Sequence, residues 1–315
     1  IGNYGVPDKK YWESNRMHIQ GLIVSTYNDT PSHFQSKMTL AQWLKNSRVP
    51  ALEIKDTRML TQKLRDQGAM LGKIIINKDI DWYDPNKENV VAKVSTKKVT
   101  EEFTRPRLAK QGQGEALSRK TVVLIDCGLK MNIQQSLLKR GVRVITVPWD
   151  FNPFTINLAG SEAINLRGWN GNFDALVISN GPGDPKQCTA TIQHLRKALT
   201  QEHPIFGICL GSQILSLAAG ADTYKLKYGH RGQNQPCVEE ETKRCYITAQ
   251  NHGFAVNTHT LPAGWEEWLT NANDGTNEGI KHKSKPFFAV QFHPEGHCGP
   301  EDTGYTFDEF IRMLK

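Results

Sequence analysis

Apolar residues in the first quarter of the chain alternate between strand-like runs and helical spacing. Ile19 to Val24 is an extended, largely apolar run, which predicts a strand. After Thr39, and again after Thr57, apolar residues recur every three or four positions. This predicts two helices with these threonines as their amino-terminal caps. Residues 17–78 are therefore expected to form a small α/β layer.

From Thr121 onward the pattern changes to short β-branched runs separated by helical spacing. The predicted strands are residues 121–125, 142–147, 175–179 and 205–208, and the predicted helices are 132–139 and 213–219. Strands that alternate with helices pair in parallel through right-handed crossovers. We therefore expect a doubly wound, mostly parallel α/β sheet, preceded by the smaller α/β domain. Ligands of such sheets bind beyond the carboxyl ends of the strands.

The two patterns are separated by a polar tract from Trp82 to Lys120. Its later part has too few apolar residues to be buried and too much glycine and charge to remain helical. We place an amino-terminal domain at 1–110, a linker at 111–120 and a second domain at 121–315. The chain starts without methionine and its last residues still follow helical spacing, so we expect a segment of a longer protein.

Composition narrows the class of protein. The 315 residues are 38% hydrophobic and 23% charged, as in soluble globular proteins, and no run reaches the roughly 18 apolar residues of a membrane span. Six cysteines without CxxC pairs or zinc-like spacing predict reduced thiols, a cytoplasmic protein and no metal site. Much of the +7 net charge lies between Lys73 and Lys120 and is not interleaved with aromatic residues, so we expect neither a membrane nor a nucleic-acid partner.

A cysteine between two glycines is the first candidate for chemistry. In Pro204-Ile-Phe-Gly-Ile-Cys-Leu-Gly, a buried strand runs directly into a helix with Cys209 at the turn. Glycines allow a tight turn that exposes the residue between them, and a helix start favours the reactive thiolate. The alternative is a small core cysteine. The flanking glycines favour a nucleophile.

A histidine and a glutamate follow a second apolar strand. In Phe287-Phe-Ala-Val-Gln-Phe-His-Pro-Glu, His293 precedes a proline and is therefore pushed toward extended geometry, in which it and Glu295 point the same way. An acyl-transfer cysteine needs a base, and the base needs a group that orients it. Taken alone, such a pair is more often a surface hydrogen bond. Together with Cys209 it predicts a catalytic triad.

A glycine-rich loop follows a third strand. Ser179-Asn-Gly-Pro-Gly-Asp-Pro can bring backbone N–H groups close to a developing oxyanion. Phosphate binding is the rival interpretation, but the loop lacks the Lys-Ser/Thr ending of a P-loop. A plain turn is the other alternative. Asn251-His-Gly-Phe gives a weaker signal, because by itself it is typical of an ordinary loop.

The glycine-rich loop at Ser179, the Cys209 turn and the His293–Glu295 segment, which follow one another in this order along the chain, together resemble the class I (triad) glutamine amidotransferases. Three further segments, beginning at Lys225, Gln250 and Thr270, resemble carbamoyl phosphate synthetase of the eukaryotic pyrimidine-pathway type. The front half agrees, since Ile1-Gly-Asn-Tyr-Gly and Asp56-Thr-Arg-Met-Leu-Thr resemble the amino-terminal domain of that synthetase's small subunit. The resemblance covers nearly the whole chain.

The resemblance implies a flavodoxin-like amidotransferase domain behind an amino-terminal domain that docks on a synthetase. It implies that Cys209 attacks glutamine with His293 and Glu295 as partners, and that the N–H groups of Gly183 and Leu210 form the oxyanion hole. The residues that it implies for glutamine binding are Gly181, Gly183, Leu210, Gln213, Asn251, Gly253 and Phe254.

The released ammonia would pass to a partner, either a large synthetase subunit or a fused synthetase domain, for carbamoyl phosphate synthesis in pyrimidine or arginine production. This implies no cofactor in the chain itself, with ATP and Mg²⁺ used by the synthetase. A serine of the glutamine pocket lies before Ile1 in the family, and residues 151–172 are longer than the expected turn, which is typical of a surface insertion. The alternatives are a non-catalytic docking module, as in the ammonia-dependent relative that lacks the cysteine, and a free-standing hydrolase.

Overall fold

A computed structural model describes residues 4–14, 16–103, 120–154, 171–297 and 299–314 of the chain. It divides into two compact units, Ile1–Tyr83 and Asp84–Lys315. The predicted linker at 111–120 lies outside the described residues except for Lys120, as does most of the predicted insertion at 151–172. In the part of the chain that is described, no helix combines the length and the apolar character needed to cross a bilayer.

The first unit is a small α/β arrangement, as predicted. Strands β1 and β3 pair antiparallel, and β2 and β4 pair parallel. Thr39 caps the first helix in a reciprocal capping box with Gln42, but the second helix is capped by Asp56, one residue before the predicted Thr57. The elements are β1 (Val6–Pro7), β2 (Leu22–Val24), β3 (Ser36–Met38), α1 (Leu40–Ser47), β4 (Ala51–Glu53) and α2 (Thr57–Gln67).

The second unit is built on one ten-stranded sheet with helices packed against it. Its helices are α3 (Val90–Val94), α4 (Met131–Lys139), α5 (Thr189–Ala198), α6 (Leu210–Ala219) and α7 (Tyr305–Arg312). Its strands are β5 (Thr100–Glu102), β6 (Thr121–Asp126), β7 (Arg143–Pro148), β8 (Ala175–Ile178), β9 (Ile205–Ile208), β10 (Asp222–Glu239), β11 (Cys245–Asn257), β12 (Trp265–Asn271), β13 (Asn277–His282) and β14 (Phe287–Val290). The predicted strands and helices of this unit are all present, although α6 begins three residues earlier than predicted.

The centre of the sheet is parallel and doubly wound, as predicted. The strand order is β11-β10-β12-β13-β14-β9-β8-β6-β7-β5, and the strands from β14 to β7 all run parallel. Alternate residues of each central strand point to opposite faces, so Val122 and Leu124 join one buried cluster while Val123 and Ile125 join the other. Burial on both faces explains why these strands are continuous apolar runs.

An antiparallel extension, which the sequence did not predict, lengthens the sheet on the β14 side. It consists of the long hairpin β10–β11 followed by β12 and β13. Most residues of β10 are exposed or half-buried, so this strand carries no apolar alternation that periodicity could detect.

The division between the units falls earlier than the boundary placed from the sequence. Strand β5 pairs antiparallel with β7, which ties residues 100–102 to the large sheet. Helix α3 also belongs to this unit, and its Val91 is buried in the core beneath the sheet. The polar composition of this tract concealed the contact, because two short elements supply few apolar residues.

We expect Phe206→Ala to destabilise the second unit by about 3–5 kcal/mol, because Phe206 is fully buried and packs against Phe288, Phe307 and Phe310. Phe103→Ala is the matched control, since its ring is 42% exposed and the same truncation there should change stability by less than about 1 kcal/mol. Urea unfolding measures both, and equal effects would contradict the placement of the core.

Candidate active site

Cys209 lies at the junction of strand β9 and helix α6, beyond the carboxyl end of the sheet. Its φ is 54° and its ψ is −104°, a conformation that residues other than glycine rarely adopt. The Cys209 N–H donates to the Val290 carbonyl (2.8 Å), and the Cys209 carbonyl accepts from the Ser212 N–H (3.1 Å). The surrounding structure therefore enforces the strained turn predicted for a nucleophile elbow.

The two glycines beside Cys209 are required by close backbone packing. A Cβ atom at position 207 would lie 2.6 Å from the Gly211 carbonyl oxygen, and one at position 211 would lie 2.2 Å from the Ile178 carbonyl oxygen. Neither obstacle is a flexible side chain. Helix α6 thus approaches the sheet so closely that only glycine fits at both positions.

His293 and Glu295 follow strand β14, which is the parallel neighbour of β9. The His293 Nδ1 atom lies 2.7 Å from Glu295 Oε1, and the His293 N–H donates to the Ala249 carbonyl (2.8 Å). Cys209 also lies close enough to His293 to raise the pKa of the imidazole. All three side chains are buried, with Cys209 only 4% exposed. The structure therefore brings the three predicted triad residues together.

The electrostatics of this group favour the imidazolium form of His293. Burial by itself lowers the pKa of His293, but the neighbouring Cys209 and Glu295 outweigh it, and the net effect raises the pKa above its usual value. Burial likewise raises the pKa of Glu295, but His293 and then Lys130 reverse that effect and lower it. The pair is thus held as an ion pair inside the protein.

Lys130 is a site residue that the sequence reasoning missed. It immediately precedes α4, and its Nζ atom lies 3.3 Å from Glu295 Oε1. It follows β6, whose carboxyl end meets the same edge of the sheet as β9 and β14, and this placement was the available signal. Lys130 therefore partly balances the negative charge of the Glu295 carboxylate, which is shielded from solvent.

The loop after β8 lies against the residue that follows Cys209. A Cβ atom at Gly181 would lie 2.1 Å from the Cys127 carbonyl oxygen and 2.7 Å from Leu210 Cδ2, so Gly181 is also required by close approach. Gly183 has a φ of +88°. The loop is anchored by Ser179, whose Oγ accepts from the Cys127 N–H (2.9 Å). Gly181 thus lies against Leu210, the residue after the nucleophile, whereas the nearest side chain to Gly183 is Val90 of α3.

The remaining predicted glutamine-binding residues come from α6 and β11. The Cys209 Sγ atom lies 3.9 Å from the Asn251 carbonyl oxygen, its hydrogen-bond acceptor. The buried Gln213 amide nitrogen donates to the Phe254 carbonyl (2.8 Å) and to Gln291 Oε1 (2.9 Å), which ties α6 to β11. Gly253 lies between Asn251 and Phe254 on that strand. The structure gathers these positions, and their contact with substrate stays a prediction.

Two family models match the chain. Residues 123–313 match "Glutamine amidotransferase class-I", and residues 1–74 match "Carbamoyl-phosphate synthase small chain, CPSase domain". A crystal structure from Thermoplasma acidophilum, described as a GMP synthase protein, covers 62% of this chain and 94% of its own with a TM-score of 0.51 and 22% identity. At that identity, it supports the fold alone.

Similar curated proteins are much longer than this chain. Multifunctional protein pyr1-3 of Dictyostelium discoideum is 44% identical over 99% of the chain, and multifunctional protein CAD of Squalus acanthias is 45% identical over 100%. The human protein "Carbamoyl-phosphate synthase [ammonia], mitochondrial" is 44% identical over 100% of the chain. The chain spans 14% of the first two relatives and 20% of the third.

We expect Glu295→Gln to lower the pKa of His293, because a neutral amide no longer favours the imidazolium form. The fall should be about one pH unit or more. NMR titration of the ¹⁵N-labelled imidazole rings measures it, with the His293 signal assigned by its loss in His293→Gln. Glu301→Gln, at an exposed carboxylate near His297, is the control and should leave His293 unchanged. An unchanged His293 titration in Glu295→Gln would contradict the ion pair.

Proposed function

This chain belongs to the class-I glutamine amidotransferase family, and from that membership we propose that it hydrolyses L-glutamine to glutamate and ammonia at Cys209. The observation that carries the proposal is the meeting of a strained cysteine at the start of a helix with a buried His–Glu pair just after the neighbouring strand. A core cysteine needs neither the strain nor the partner. An acyl-transfer nucleophile needs both.

The hydrogen bonds of His293 assign its two ring nitrogens to different tasks. Nδ1 is bonded to Glu295, so Nε2 is the nitrogen left to exchange a proton at Cys209. The Cys209 sulfur attacks the side-chain amide carbon of glutamine, and the carbonyl oxygen becomes an oxyanion stabilised by the N–H groups of Gly183 and Leu210. His293 gives its proton to the departing nitrogen as the C–N bond breaks, which releases ammonia and leaves a glutamyl thioester.

Water completes the reaction in the second half. His293, now neutral, takes a proton from the attacking water, and the C–S bond breaks to release glutamate and return Cys209 and His293 to their starting forms. Glu295 stays ionised throughout and orients the ring, and Lys130 compensates its charge. The overall balance is glutamine plus water giving glutamate plus ammonia, with no cofactor required from this chain.

We further infer that the ammonia is passed to a carbamoyl phosphate synthetase, as a separate subunit or a fused domain, which would use ATP and Mg²⁺. The match of residues 1–74 to the small-chain domain supports this, as does the small fraction of each multifunctional relative that the chain represents. The first unit also exposes large apolar side chains suited to docking, among them Ile19, Phe34, Met70, Ile75 and Trp82. A cytoplasmic location and a role in pyrimidine or arginine synthesis belong to this proposal.

A docking module without catalysis is the second candidate function. The observation that favours it is the 44% identity to the human protein "Carbamoyl-phosphate synthase [ammonia], mitochondrial", whose name specifies ammonia. Against it stand Cys209, the buried His293–Glu295 pair and the glycines that permit the elbow. A free-standing hydrolase would leave the first unit without a role.

We expect the chain to release glutamate from glutamine, and a synthetase subunit to stimulate this release. Cys209→Ser should abolish it, because serine at this elbow lacks a sulfur nucleophile. Cys245→Ser is the control, since that cysteine is exposed, whereas Cys209 is buried. Mass spectrometry of the acid-quenched enzyme should locate the glutamyl thioester on Cys209. A thioester on another residue, or undiminished activity in Cys209→Ser, would sink the proposal.

The oxyanion role of Gly183 gives a separate prediction. An added methyl group meets nothing closer than 3.5 Å, but the φ of +88° is strained for alanine, so Gly183→Ala should displace the loop and lower kcat by about 10²-fold. Gly220→Ala is the matched control, because Gly220 also has a positive φ, of +109°, and open space around it. Steady-state kinetics of both variants measure the loss in kcat. Equal losses would show that backbone strain alone is responsible and would contradict the oxyanion role of Gly183.

A further inference from the structure

A second cluster of titratable side chains lies in the antiparallel extension of the sheet. His230 and His252 face each other across β10 and β11, and Glu278 comes from β13. The His230 Nδ1 atom lies 3.2 Å from His252 Nε2 and 3.1 Å from Glu278 Oε1, and the last two atoms are 3.9 Å apart. The proposed glutaminase chemistry uses none of the three.

These distances match the ligand shell of a small divalent cation. A point equidistant from the three atoms lies about 2.0 Å from each, which is the length of Zn–N and Zn–O bonds in proteins. Two imidazole nitrogens and one carboxylate oxygen are also a common zinc ligand set. The amide oxygen of Gln250 lies nearby, 3.1 Å from His252 Nε2.

The outward nitrogens of both rings are bonded as they are in metal sites. His230 Nε2 lies 2.9 Å from Asp274 Oδ2, and His252 Nδ1 lies 2.8 Å from the Phe254 carbonyl oxygen. Ligating histidines usually donate the second N–H to a carboxylate or a backbone carbonyl, which fixes the tautomer. That arrangement leaves His230 Nδ1 and His252 Nε2 facing Glu278 as lone-pair donors.

The burial of Glu278 and the charges of the cluster also favour a bound cation. Glu278 is 0% exposed, and its Oε2 atom accepts no hydrogen bond from the residues that the structure describes. A buried carboxylate is costly unless a cation or several donors compensate it. With neutral rings, the charges of Glu278 and Asp274 together equal that of one divalent ion, which would leave the cluster neutral.

We propose that His230, His252 and Glu278 bind one divalent transition-metal ion, best matched by Zn²⁺, which braces strand β11. Mg²⁺ and Ca²⁺ prefer all-oxygen shells and suit the two imidazoles poorly. The brace acts on the strand that carries Asn251 and Gly253, because the Phe254 carbonyl accepts from both His252 and Gln213. The sequence predicted no metal site, since positions so far apart along the chain form no recognisable spacing.

The test uses the whole chain with Cys209→Ser, because a reactive thiol would itself bind zinc. After treatment with a chelator and dialysis, Zn²⁺ is titrated against a competing chelating dye, and Co²⁺ is added to a parallel sample as a spectroscopic probe. We expect one equivalent of Zn²⁺ to bind, and a visible cobalt spectrum of tetrahedral type without a thiolate charge-transfer band.

Two variants remove one ligand each at nearly constant size. Glu278→Gln and His230→Gln should each weaken zinc binding by at least about tenfold, whereas His297→Gln, at an exposed histidine of the same unit, should leave it unchanged. Circular dichroism of the metal-free proteins shows which variants fold. Zinc binding is compared only among the variants that fold.

The proposal is overturned if the Cys209→Ser chain takes up no zinc at stoichiometric concentration, or if both folded ligand variants bind as tightly as their parent. In that case, a proton on His230 would supply the positive charge that compensates the buried Glu278 carboxylate. The readout is metal binding alone, so its failure leaves the glutaminase proposal standing, and an inactive enzyme would not contradict the metal site.

Discussion

The candidate active site depends on how closely helix α6 approaches the sheet. Backbone atoms of β8, β9 and the first turn of α6 come so near one another that side chains at positions 207 and 211 would overlap carbonyl groups. Cys209, held between them, has no relaxed conformation available, and its positive φ is the result. The strain is maintained by the buried strands on either side, which no single loop contact could replace.

A series of groups that alternate in charge runs from the buried Cys209 to Lys130, whose side chain is partly exposed. Cys209, His293, Glu295 and Lys130 alternate in the charge that each can carry, and three of them are almost completely buried. Charges removed from water are tolerated only when each has a partner with good geometry. The burial of His293 and Glu295 is therefore made possible by the same interactions that hold them as an ion pair.

The antiparallel extension supplies the other wall of the site. Strand β11 provides the carbonyl group that faces Cys209 and is held from two directions, by Gln213 of α6 and by His252 of the second cluster. The proposed cation and the proposed nucleophile thus both lie next to strand β11. A change in either would reach the pocket through the backbone of β11.

Local rules were sufficient for much of this protein. Continuous apolar runs identified the parallel strands because both faces of that sheet are buried, and the glycines at 207, 211 and 181 identified sharp turns because each faces a backbone obstacle. The proline after His293 placed the histidine beside Glu295, whose Oε1 the ring nitrogen contacts. These features depend on a few neighbouring residues, so the order of residues along the chain records them.

Other features were decided only when distant segments met. Most of strand β10 is exposed or half-buried and has no apolar alternation, and Lys130, at the start of helix α4, reaches Glu295 from a position far away in the chain. His230, His252 and Glu278 likewise converge through strand pairing across the extension. The sequence by itself determined the parallel core, the elbow and the His–Glu pair. The tertiary structure decided which charges neutralise one another, because electrostatic interaction depends on distance in space, which sequence separation does not reveal.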